Sequence, residues 1–247
     1  MCTLERRGQL FILKLTGVDK IDQEHRLNPS LISSIRSALA DVKSQAVDGS
    51  ALITLSEGKF FSNGFDLRHA QAKGVKSGSA DAAKDELLRM VDLFRGVVAD
   101  LMALPMPTIA AVTGHAAAAG LILAMSHDYV TMTSSRSVLY MSELDIGMTL
   151  PDYFTALIRG KVGGSSDRRR LVLQAAKVTA EEAVAMGIVD SAHDSPEAVV
   201  AAAVRKGEEL SKRKWGGKAY AGIRVALYPE LCGLLGLKDE TVLPSKL

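Results

Sequence analysis

Apolar residues along the chain fall either into short unbroken runs or into longer stretches where they recur every three or four positions. The unbroken runs are Leu10-Phe11-Ile12-Leu13 inside Gln9–Thr16, Ala51-Leu52-Ile53-Thr54-Leu55, Pro107-Thr108-Ile109-Ala110-Ala111-Val112, Asp128 to Met132, and Val138-Leu139-Tyr140-Met141. An apolar run this brief, bounded by turn residues, predicts a buried strand. The periodic stretches predict helices. Pro29 opens one, with Leu31, Ile35, Leu39 and Val42 on a single face, the spacing of an amphipathic helix with proline in its first turn. A second carries Leu87, Val91, Phe94, Val98 and Leu101 and must stop before Pro105, because proline disfavours helical backbone in the residue ahead of it. Ala198 to Lys212 predicts another. Between Ala72 and Ala80 the chain is rich in Gly, Ser and Ala. That composition buries too little apolar surface to order itself, so a mobile loop is expected there.

Two strand ends carry unusual chemistry. After Ala51–Leu55 and the turn Ser56-Glu57-Gly58 comes Lys59-Phe60-Phe61-Ser62-Asn63-Gly64-Phe65-Asp66-Leu67. A glycine just past a strand lets backbone approach a ligand with no Cβ in the way, so N–H groups beyond Gly64 could face a bound carbonyl. After Pro107–Val112 come Thr113-Gly114-His115 and then Ala116-Ala117-Ala118-Ala119-Gly120-Leu121-Ile122-Leu123-Ala124. Small residues let a helix start pack closely, and the orphan N–H groups there attract negative charge.

Composition narrows the field further. With 247 residues and 47% hydrophobic content, the chain can bury one large core or two small ones. A net charge of +2 with scattered Lys and Arg asks for no nucleic acid, and Arg168-Arg169-Arg170 reads as a solvated helix start. No charge-free apolar stretch of about 18 residues occurs, so no membrane span is expected. Glu5, Arg6 and Arg7 interrupt any secretory leader. Cys2 and Cys232 form no metal or redox spacing and read as free thiols of an intracellular protein. Trp215 reads as packing. No internal repeat of the solenoid kind is visible, and periodicity does not yield the topology.

The two glycine-marked segments, in this order, resemble the paired motifs FxxGxDL and NGxAxGxG of the enoyl-CoA hydratase/isomerase (crotonase) family. The resemblance continues through Met141-Ser142-Glu143-Leu144-Asp145-Ile146-Gly147, Thr179-Ala180-Glu181-Glu182-Ala183 and Gly187-Ile188-Val189. It covers most of the chain, and within the family it is narrowest with the plant-type peroxisomal Δ3,Δ2-enoyl-CoA isomerases. It implies an α/β fold, a crotonase-like spiral of ββα units over residues 1–190, with a C-terminal helical trimerisation region over 191–247.

By the same resemblance the N–H groups of Phe65 and Ala119 form an oxyanion hole around a thioester oxygen, and Glu143 is the catalytic base. Read from the residues alone, Glu143 could instead cap the next turn. Asp152 falls where another branch of the isomerases places its base, and is a second candidate or a helper; otherwise it is an acidic residue favoured at a helix start. Arg26 resembles the basic residue that meets a CoA phosphate, with a solvated arginine as the alternative. Ser62, Asn63, Gly64, Asp66 and Leu67 are expected to lie along the acyl-CoA. Family hydratases hold water between two glutamates, one matching Glu143 and the other matching Ile122, which here is aliphatic. This implies isomerisation of 3-enoyl-CoA to trans-2-enoyl-CoA by a single carboxylate, with acyl-CoA as substrate and no metal or redox cofactor. A hydratase, a thioesterase or a non-catalytic binding protein remain as alternatives. From Met148 to Phe154 the chain departs from the family's glycine-rich helix start, so chain-length preference does not carry over. Homotrimers or hexamers are expected. The last residues, Ser245-Lys246-Leu247, match a tripeptide read by the peroxisomal import receptor, and predict a peroxisomal location.

Overall fold

In the computed structural model, which describes residues 1–16 and 24–238, the unbroken apolar runs become strands buried on both faces. Strand β1 (Cys2–Arg7) pairs antiparallel with β2 (Leu10–Leu15). Helix α1 (Pro29–Ser44) leads to β3 (Ala51–Ser56) and β4 (Phe60–Ser62), then to α2 (Leu67–Ser77) and α3 (Ala80–Met102). The next unit is β5 (Thr108–Val112), β6 (His115–Ala117) and α4 (Ala119–Met125). A third follows with β7 (Tyr129–Thr133), β8 (Leu139–Tyr140) and α5 (Asp152–Lys161). After α6 (Ser165–Arg168) and α7 (Ala180–Ala185), the chain returns through β9 (Ser191–His193) to α8 (Pro196–Ser211), α9 (Gly217–Leu227) and α10 (Pro229–Leu234).

The strands make two sheets, a six-stranded one in the order β1-β2-β3-β5-β7-β9 and a three-stranded one in the order β4-β6-β8. Each of three successive units gives one strand to each sheet and then a helix, which is the ββα spiral. Ile12, Ile53, Ile109 and Tyr129 stand in one row across the larger sheet. On that face Leu10, Ile12, Ile53, Leu55 and Ile109 pack with Val199, Ala203 and Leu210 of α8. The opposite face, with Phe11, Leu13, Leu52 and Ala110, meets α1 and α3. Both β9 and α8 therefore belong to the core, so residues beyond 190 begin inside it, and only α9 and α10 lie past its last sheet-packed helix.

The helix expectations hold with small changes. Asn28 caps α1 by accepting from Leu31 N at 2.9 Å, with Pro29 in the first turn, and Leu31, Ile35, Leu39 and Val42 are buried. Helix α3 ends at Met102, ahead of Pro105. The loop expected from Ala72 to Ala80 is instead the end of α2, a break at Gly78 and Ser79, and the start of α3. Asp66 nucleates α2 by accepting from His69 N at 3.0 Å, and His69 ties it to Glu86 of α3 at 3.0 Å. Capping and a long neighbouring helix supply the order that local composition lacks. The first strand, largely exposed at the sheet edge, has no apolar run to announce it.

A buried ion pair pins the C-terminal helices. Arg224 of α9, 4% exposed, makes a fork with Asp128 (Nε–Oδ1 and Nη2–Oδ2, both 2.6 Å). It also donates to the carbonyls of Met102 (3.2 Å), Leu104 (2.6 Å) and Met106 (2.6 Å), where α3 ends. Asp128 further accepts from Thr108 N and Tyr220 Oη. Burial pushes the Asp128 carboxyl up, and Arg224 beside it overrides that and holds it below the usual carboxylate range. Among the described residues no helix is long and apolar enough to cross a membrane. Both cysteines are free thiols. Residues 17–23 of the polar segment and the tripeptide Ser245-Lys246-Leu247 lie outside the described residues.

Candidate active site

The parallel strands β4, β6 and β8 bring their C-terminal ends to one edge of the small sheet, with Ala117 opposite Tyr140 in register. Past β4, Gly64 takes φ +72°. Leu27 N donates to Gly64 O (2.8 Å) and Asp66 N donates to Leu27 O (3.2 Å), a parallel bridge between Leu27 and Phe65. Because that bridge uses the peptide groups on either side of Phe65, the Phe65 N–H points away from it. Past β6, Ala118 N donates to Tyr140 O (2.9 Å), and Ala119 begins α4. The two segments touch, since a Cβ on Gly64 would stand 3.4 Å from Ala119 N. Among the described residues neither the Phe65 N–H nor the Ala119 N–H has a hydrogen-bond partner. Gly120 permits this approach, because a Cβ there would fall 2.2 Å from Ser62 O.

Past β8 comes Glu143, 8% exposed. Among the described residues its Oε2 is buried without a partner, and its side chain does not cap the 3₁₀ turn Leu144–Ile146 that follows. The backbone does that work, with Glu143 O accepting from Met148 N at 2.8 Å and Gly147 closing the turn at φ +69°. Burial pushes the Glu143 carboxyl above its ordinary value, partly offset by the backbone N–H groups of Glu143 and Ser142. A carboxylate held out of water without a cation is poised to take a proton. Ile122 on α4 is fully buried.

The remaining expected residues sort by what they touch. Asp152 opens α5, half-exposed, with Oδ1 accepting from Arg95 Nη2 (3.0 Å) and from Tyr153 N (2.7 Å). That suits the helix-start alternative. Arg26 pairs with Glu24, whose backbone carbonyl accepts from Asn63 N at 2.8 Å. Ser62 is fully buried and donates its hydroxyl to His25 O at 2.8 Å, so it fastens the segment before Arg26 and has no surface for a ligand. Asp66 caps α2, and Leu67 opens it. Arg26 and the Ser62–Leu67 segment are thus brought together. Of the arginine run, Arg170 pairs with Glu182 and Arg168 donates to Gly163 O. Trp215 packs against Tyr220.

Sequence reasoning missed an aromatic cluster around Phe65, the first candidate donor. The Phe65 ring stacks on Phe154 (centroids 6.3 Å, 15°) and meets Phe94 edge-on (5.6 Å, 89°). Tyr153 packs edge-on against Phe154 at 4.9 Å and donates its hydroxyl to Val91 O at 2.8 Å. Paired aromatics at positions 153–154, in the segment that departs from the family pattern, were the available signal.

Comparison with known proteins places the chain. A profile of the enoyl-CoA hydratase/isomerase family matches residues 18–218. The chain is 58% identical to the Arabidopsis thaliana protein named enoyl-CoA delta isomerase 2, peroxisomal, over the full length of both. It is 56% identical to enoyl-CoA delta isomerase 3 of the same plant, over 96% of each chain. Among solved structures, the apo enoyl-CoA isomerase of Mycobacterium tuberculosis superposes with a TM-score of 0.80 at 21% identity, covering 95% of this chain and 94% of that one. The last likeness speaks to the fold, whereas the profile and the plant relatives speak to descent. The chain belongs to the enoyl-CoA hydratase/isomerase family.

Proposed function

We propose that this protein isomerises 3-enoyl-CoA to trans-2-enoyl-CoA, a double-bond shift in the oxidation of unsaturated fatty acids. Glu143 takes a proton from C2, and the electron pair left behind spreads through the C3=C4 bond and the thioester carbonyl. Negative charge reaching the thioester oxygen is met by the N–H groups of Phe65 and Ala119. Fixed donors of this kind in a dry site are worth roughly 3–4 kcal/mol each. The protonated Glu143 then delivers its proton to C4, which completes the shift to C2=C3 and restores the carboxylate. The change is redox-neutral and adds no water, so it needs neither an electron carrier nor a second carboxylate.

The observation that carries this reading is the buried Glu143 oxygen, unpartnered among the described residues, past the end of β8, in the sheet whose other strands lead into the Phe65 and Ala119 N–H groups, themselves without partners among those residues. Ile122 favours a single base over a water held between two acids. The plant relatives, at 52–58% identity, are all named enoyl-CoA delta isomerases, and two are named peroxisomal. Those two names support a peroxisomal address. Arg26, half-buried, is the cation offered to a CoA phosphate. Exposed Ile223 and Leu227 on α9 favour assembly with further copies, as a trimer or paired trimers. Light scattering at one chain's mass would remove the assembly, and a cytosolic location of the expressed protein would remove the address.

The reaction is tested by incubating purified protein with 3-hexenoyl-CoA and resolving products by mass and retention. The expected product has unchanged mass and the retention of trans-2-hexenoyl-CoA. A gain of one water would reassign the protein as a hydratase, and free CoA as a thioesterase.

A further inference from the structure

Ala118 is a non-glycine residue held at φ +51°, ψ −125°, a region where side chains are strained. Both of its peptide groups are tied down. Its N–H donates to Tyr140 O at 2.9 Å, and its carbonyl accepts from Leu121 N (2.9 Å) and Ile122 N (3.1 Å). Its methyl group occupies the space that a side chain on Gly64 would need, 3.0 Å from where that Cβ would stand. Ala118 precedes one candidate donor, Ala119, and Gly64 precedes the other, Phe65. The methyl is therefore the side-chain contact nearest Gly64 between the two candidate donor segments, which also approach each other at Ala117 O and at Gly120 against Ser62.

We propose that Ala118 is a positioning residue, whose methyl, set against Gly64, fixes the spacing between the Phe65 and Ala119 N–H groups. This rests on the oxyanion-hole reading above. Donors act only when they sit about 2.7–3.1 Å from the developing oxyanion, and a misplacement of roughly 1 Å can cost about 100-fold. Glycine at 118 would relieve the backbone and remove the spacer together. Stability and rate then move in opposite directions, which a residue serving only the fold would not produce.

The test compares Ala118→Gly and Ala118→Ser with wild type on 3-hexenoyl-CoA, alongside thermal melting and exchange of the C2 hydrogen with deuterated solvent. Ala118→Gly is expected to melt at or above wild type, with kcat lower by about 10- to 100-fold and KM little changed. Exchange should slow by the same factor as kcat. Ala118→Ser keeps a group at Cβ and should recover kcat to near the wild-type value. A glycine variant with wild-type kcat overturns the proposal, as does one that melts clearly below wild type, or a serine variant as slow as glycine. Wild type that fails to isomerise the substrate would instead overturn the oxyanion-hole reading on which this one stands.

Discussion

In the role proposed for Glu143, two demands oppose each other within one side chain. A base must be ionised to accept a proton, yet burial without a cation disfavours the ionised form and raises its pKa. The ordinary carboxyl value is the unfolded reference, so the folded chain holds this proton more tightly than the unfolded one. Stability linked to Glu143 is therefore fully present below the ordinary value and is lost as pH rises through the raised one. Catalysis has the reverse dependence, since kcat/KM should fall on the acid side with an apparent pKa above that of a free glutamate. Glu143→Gln keeps the shape and removes both effects. Turnover should drop by about 10²- to 10⁴-fold while acyl-CoA still binds. The variant should also melt above wild type at pH 7, by about 2–4 °C for each kcal/mol relieved, with the gap closing toward pH 4. Asp152, already engaged by Arg95 and Tyr153 N, should tolerate Asn with a much smaller loss. An inactive Asp152→Asn beside a fully active Glu143→Gln would move the base to Asp152.

At the level of elements, the sequence was most legible where a single face or a fully buried run decides the matter. The run Ala51–Leu55 became a strand with every residue buried, and the stripe Leu31, Ile35, Leu39, Val42 became the inner face of α1. It was least legible where order comes from partners distant in sequence. Helix α2 buries only Ala70 and Gly74, and its order depends on the Asp66 cap and on α3, neither of which composition over residues 72–80 reveals. Strand β1 owes its place to β2, with Thr3 opposite Lys14 and Glu5 opposite Ile12. The candidate donor segments stood out because each carries a glycine, Gly64 for its own backbone at φ +72° and Gly120 for the approach of Ser62 O. Phe154 was not, because its ring meets Phe65 across 89 positions of chain only after α5 has folded onto α3. Ser62 misled for a related reason: a polar residue within a ligand-binding motif turned inward to hold the His25 carbonyl.

At the scale of the whole molecule, the question is what couples the C-terminal helices to a site built by β4, β6 and β8. Arg224 is the physical link, because it satisfies carbonyls at the end of α3 and the carboxylate of Asp128 at the head of β7. Helix α3 also carries Phe94, which packs on Phe65. Replacing Arg224 by an aliphatic residue leaves several carbonyls without this donor and the Asp128 carboxylate without its ion-pair partner, although Thr108 and Tyr220 still donate to it. Breaking such a pair costs about 3–5 kcal/mol, whereas replacing both partners together is often close to neutral. Arg224→Met should therefore lose about 3–5 kcal/mol in urea unfolding, and adding Asp128→Asn should recover a substantial part of that loss. Below its melting range the Arg224→Met protein should retain kcat within a few-fold, since no reacting atom is touched, but inactivate sooner on warming. A loss under about 1 kcal/mol, the scale of an exposed pair, would mean that apolar contacts alone dock α9. Failure of Asp128→Asn to restore any stability would mean that the carbonyls of α3, and not the carboxylate, are what Arg224 serves.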